Sequence, residues 1–148
     1  MNIYPIRPAG PTNFAVRVHM RRGLTHSQEL AFLRRLEVWI AERDLVMEGA
    51  QTAFTIVSER ELTPTDQADL LIRLLDDPAV QQGRVGPLVG KANDLSEEVT
   101  GLIWVEAAAK DSLVDAARAL YESGRLDGAG FLEALGSYVY RPSENLEA

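Results

Sequence analysis

A chain of 148 residues suffices for one domain or a small domain with an extension, and 46% hydrophobic and 25% charged residues is ordinary for a globular fold. There is no cysteine, which excludes disulfides and thiolate metal sites and is compatible with a reducing compartment. The net charge of −7 disfavours tight non-specific nucleic-acid binding, which needs clustered cations, but it is unevenly spread: residues 1–43 carry seven arginines against three carboxylates, whereas the remainder is strongly acidic.

Residues 1–12 read as an arm broken by Pro5, Pro8 and Pro11, without the apolar core of a signal peptide. No run approaches the roughly 20 apolar residues a spanning helix needs. A cytoplasmic protein is expected. Phe14, Val16, Val18 and Met20 alternate with Ala15, Arg17, His19 and Arg21, which predicts a strand over 13–20 with the first set buried. After the turn at Arg21-Arg22-Gly23, Thr25 and Gln28 form a capping box for a helix. Its apolar stripe is Leu30, Phe32, Leu33, Leu36, Trp39 and Ile40, with Arg34, Arg35, Glu37, Glu42 and Arg43 on the remaining surface.

Residues 45–49 and 52–57 then read as a hairpin connected through Gly49-Ala50-Gln51. Thr63, Pro64 and Asp66 are an N-cap, a first-turn proline and a first-turn carboxylate. The helix they open buries Leu70, Leu71, Leu74 and Leu75 and stops at Asp76-Asp77-Pro78. Residues 80–89, with Gly83, Gly86 and Pro87, read as a short edge strand or loop. The order is β-α-β-β-α-β, so the expected fold is α+β: a ferredoxin-like antiparallel sheet with two helices on one face, over residues 1–90.

The polar segment Lys91 to Glu98 reads as an internal boundary. Residues 91–148 are expected to form a C-terminal β-α-α extension that packs on the first domain or makes a small subdomain. Its strand covers 99–105. Its first helix opens on a Ser112–Asp115 capping box and ends at Ser123-Gly124. A second, from Asp127, carries Phe131, Leu132 and Leu135 and ends at Gly136. Tyr138-Val139-Tyr140 either pairs as a strand or packs on the core, and the tail from Pro142 is polar.

Reactive constellations are hard to find in this pattern. His19 and His26 have no ligand partner at metal spacing. The glycine-rich run from Gly86 to Lys91 has Val85 where a phosphate loop needs glycine, and Ala92 where it needs Ser or Thr. The acid pairs Asp76-Asp77 and Glu97-Glu98 are sequence neighbours, which diverge by about 100° on a helix and rarely converge on one substrate. No catalytic residue, metal or cofactor is therefore expected, and the chain does not read as an enzyme. The outward set of the first strand contains no aromatic, nor do Ala53, Thr55 and Val57, so readout of single-stranded RNA by stacking is not expected. Arg17, Arg21, Arg22, Arg34 and Arg35 are the candidate binding residues, suited to the phosphates of a folded RNA or to an acidic protein surface.

Several landmarks carry a family resemblance: the strand NFAVRVHM, Leu24-Thr25 with the leucine-rich helix ending in Trp39-Ile40, LVMEG, Phe54-Thr55-Ile56-Val57, and the helix entry LTPTDQADLLIRLL. Over about residues 13–88 the chain resembles the YggL-type 50S-ribosome-binding family of small bacterial proteins. The resemblance implies an α+β domain that associates with the large ribosomal subunit, with no known catalysis. Charge alone supports an alternative, an acidic protein–protein module of immunity, antitoxin or inhibitor type whose C-terminal carboxylates meet a basic partner. Neither reading calls for a membrane or for sequence-specific DNA.

Overall fold

A computed structural model describes residues 10–90 and 103–139. Most of the N-terminal arm, the polar boundary, the first residues of the strand expected over 99–105, and the tail lie outside the described residues. The elements in chain order are β1 (Asn13–Met20), α1 (His26–Glu42), β2 (Val46–Ala50), β3 (Ala53–Val57), α2 (Pro64–Asp76), β4 (Val80–Val85), β5 (Ile103–Ala108), α3 (Ser112–Glu122), α4 (Gly128–Ala134) and β6 (Ser137–Val139).

Alternation in β1 sets the architecture. Phe14, Val16 and Val18 are buried, while Arg17 and His19 on the other face are exposed. The strand is central in a six-stranded sheet of order β2-β3-β1-β4-β5-β6, in which every neighbouring pair is antiparallel. Register carries the pattern across: Val16 sits opposite Phe54 and Val85, and Val18 opposite Gly83. One core cluster joins this sheet face to Leu36 of α1, Leu71 of α2, Val114 of α3 and Phe131 of α4. The fold is α+β, and the helices bury their apolar sides against one face of the sheet.

The sequence reading departs from the structure in several places, and at β4 a partner distant in sequence is the cause. Residues 80–89 contain an interior strand, not an edge, because β5 completes the second side of β4 through the Gln82–Ala108 to Val85–Val105 register. In the hairpin, Gly49 is not in the connection but inside β2 at φ 120, where a Cβ would meet the Ala53 carbonyl oxygen at 2.7 Å, and the turn is Gln51-Thr52. The capping box at Thr25–Gln28 forms as expected, but α1 buries only Phe32, Leu36 and Ile40, one line of residues four apart, and Leu30 is exposed. α3 is capped by Asp111, whose carboxylate accepts from the Leu113 N–H at 2.8 Å, and Ser112 is its first helical residue.

Residues 103–139 add to the same sheet and the same core. β5 pairs with β4, and β6 pairs with β5 in turn. α4 packs so closely on the start of α2 that a Cβ at Gly128 would stand 2.5 Å from the Thr65 nitrogen. Tyr121 of α3 donates to Asp69 of α2 at 2.7 Å and stacks at 5.2 Å on Phe131 of α4. Burial, and then the hydrogen bond to Asp69, push the Tyr121 phenol up to about 12.

Candidate functional site

The five arginines singled out from the sequence fall into three environments. Arg17 lies on the sheet face away from the helices, its guanidinium 5.5 Å from the Trp104 ring centroid and donating to the Val16 carbonyl at 2.9 Å. Arg34 and Arg35 sit on α1. Arg35 makes a two-pronged bond to Asp77, both distances 2.8 Å, and so serves the fold. Arg34 borders a shallow groove with Val38, Trp39 and Arg73. Arg21 and Arg22 share a place with Lys110 and with no carboxylate among its described lining residues, whereas the groove that gathers Arg34, Arg35 and Arg73 also holds Glu42.

That place is an open depression of about 460 Å³ at the end of β1, lined by His19, Arg21, Arg22, Gln81, Ala109 and Lys110. Three separate stretches build it, and backbone hydrogen bonds hold them in place. The Arg21 N–H donates to the Ala79 carbonyl and the Ala109 N–H to the Gln81 carbonyl, both at 2.9 Å. The chain leaves β1 through a register shift at His19/Met20, which turns Arg21 and Arg22 into an exposed loop rather than continuing the ladder. On the opposite rim Lys110 occupies the left-handed region at φ 63, a conformation costing a non-glycine residue about 1–2 kcal/mol.

Among the described residues no carboxylate lines the depression, and Arg21, Arg22 and Lys110 make no ion pair. The contrast with the rest of the molecule is sharp. Arg60 is bound to Asp66, Arg84 to Glu106, and Arg118 to both Asp76 and Glu122. The Arg118 guanidinium is held above its ordinary range by the hydrogen bonds to Asp76 and Glu122. Chemically, the depression offers cationic donors to an anion. Among the described residues there is no group of three or more His, Asp or Glu placed to hold a metal, and no helix long and apolar enough to cross a membrane.

Sequence reasoning missed Lys110 and Gln81. Each is placed by pairing across β4, which brings residues sixty to ninety positions away beside the end of β1. Trp104 was also missed as a residue of the sheet face away from the helices. Its neighbour Val105 opposes Val85 on the helix side, so the indole points the other way, where a Cβ on Gly86 would lie 3.1 Å from the ring. At 3% exposure Trp104 is packed and offers no platform for a stacked base. Comparison of the chain with family models, with curated proteins and with solved structures finds no match.

Proposed function

We propose that this chain is a non-catalytic binding protein that docks on the large ribosomal subunit, with Arg21 and Arg22 as its principal contacts and Arg17 beside them. The observation that carries the reading is the depression at the end of β1, where uncommitted cations gather without a carboxylate among its lining residues. The resemblance of residues 13–88 to the YggL-type 50S-binding family supplies the partner. A ferredoxin-like core, built from β1, α1, β2, β3, α2 and β4 in the sheet order β2-β3-β1-β4, agrees with that resemblance. Residues 103–139 extend this core by two strands and two helices in the same reading.

The acidic-module alternative draws less support, because several carboxylates are already spent on arginines of this chain: Asp66, Asp76, Asp77, Glu106 and Glu122. Co-sedimentation with purified large subunits is the test. Binding is expected at low salt and is expected to weaken steeply as salt rises. Arg21→Ala with Arg22→Ala should reduce the bound fraction at least several-fold, whereas Arg34→Ala should leave it nearly unchanged. Failure of the wild type to sediment with subunits at low salt would overturn the reading.

A further inference from the structure

We infer that the depression at the end of β1 is a phosphate-binding site, and that Lys110, from the segment beyond the family resemblance, is one of its binding residues. The inference deepens the binding role proposed above and rests on it for biological meaning. Its chemistry stands on the geometry alone.

Three observations favour a phosphate over a carboxylate. Cationic groups enter from both rims, Arg21 and Arg22 from the β1 side, where His19 also lies, and Lys110 from the β5 side, with Gln81 of β4 between them. An anion with three acceptor oxygens and a charge near −2 can engage donors from both sides, and the planar guanidinium fork suits its oxygens. A single carboxylate has two oxygens and one charge, and so has a single phosphodiester, so a nucleic-acid backbone meets both rims only by presenting two or more successive phosphates. The volume, about 460 Å³, leaves room for a diphosphate or two successive backbone phosphates, which one carboxylate would not fill.

Lys110 gives the third. It occupies a left-handed backbone position where glycine would sit without strain, and the next residue, Asp111, does the capping of α3. Asp44, the other non-glycine residue with positive φ among the described residues, is of a type that tolerates this region. Lysine gains nothing there from its backbone. Its place among the residues lining the depression, across β4 from Arg21 and Arg22, gives the side chain a role that the backbone does not.

One chemistry admits two sources, a free phosphate compound or the phosphodiester backbone of a nucleic acid. The experiment titrates the full chain at low salt, by calorimetry, with pyrophosphate, with a short uridine oligonucleotide, and with an oligoglutamate peptide of matched charge. Pyrophosphate or the oligonucleotide should bind more tightly than oligoglutamate. If the oligonucleotide binds more tightly than pyrophosphate, with a log–log salt slope of about −2 for some three neutralised phosphates, the backbone is the source. If pyrophosphate binds at least as tightly, the source is a small phosphate compound. Either result upholds the site.

Lys110→Gly removes the charge and relieves the backbone, so it should weaken binding about tenfold at low salt without lowering the melting temperature. Arg21→Gln with Arg22→Gln should weaken binding further, and Arg34→Gln should not change it. Undiminished affinity in either Lys110→Gly or the double variant, equal binding of oligoglutamate, or no binding of either phosphate probe by the wild type would overturn the inference. Phosphate binding without sedimentation on ribosomal subunits would leave the site standing and remove the ribosomal partner.

Discussion

Asp77 stays charged although its side chain is only 3% exposed. Burial alone would raise its carboxyl, but the Arg35 fork, the Ala79 N–H and the nearby charge of Arg73 outweigh that and hold it below the ordinary carboxylate range. Asp66 is lowered similarly, burial opposing and Arg60 and Thr63 prevailing. An unfolded aspartate titrates near 3.9. As acid is added, the unfolded chain therefore takes up protons before the folded one. The stability these groups contribute is present above about pH 4 and lost as pH falls through their folded values. Asp77→Asn should lower stability near neutral pH by about 1–2 kcal/mol, a figure kept small because Arg35 is 41% exposed. Urea unfolding at neutral and acid pH should also show a shallower acid limb, with Asp66 supplying what remains. An unchanged acid limb would contradict the assignment. From sequence, Asp77 read as a helix stop and Arg35 as a surface cation. Both readings hold locally, but the bond between them spans 42 residues and has no local signature.

Elements were legible where the chain signals its own boundaries and less so where a neighbour decides. Both helix entries in the first half, Thr25 with Gln28 and Thr63 with Pro64 and Asp66, stand where their capping chemistry puts them. β1 follows its alternation. The width of the buried stripe on α1 was not readable, because it depends on how much sheet lies beneath the helix, and Leu30 and Val38 remain exposed. β4 became interior only through β5. The junction between α2 and α4 is the element-scale feature most open to test, since there a missing Cβ lets two backbones touch. Gly128→Ala would push a methyl group into the Thr65 and Pro64 backbone, which cannot swing aside as a side-chain tip can. It should cost about 1–3 kcal/mol in chemical denaturation. A loss under about 0.5 kcal/mol would show that this contact does not hold α4 in place.

For the whole molecule, the uneven charge noted in the sequence acquires a structural meaning. Several carboxylates of the acidic part are neutralised by arginines of the same chain, while the cations at the end of β1 are left facing an open depression. A net charge of −7 still surrounds them, so attraction toward a polyanion is short-ranged and sensitive to salt. The candidate site was half legible: Arg21 and Arg22 stand together in the turn that follows the alternating stretch, whereas Lys110 reaches it only because the sheet continues past β4. The claim on which everything else depends is that both rims act together on one partner. Charge reversal at each rim, measured as affinity for large ribosomal subunits at fixed low salt, tests this most directly. Arg22→Glu and Lys110→Glu should each weaken binding by about tenfold or more, and Arg34→Glu by less than about twofold. If Arg34→Glu proves as damaging as Lys110→Glu, or if Lys110→Glu binds like the wild type, the depression is not the contact surface.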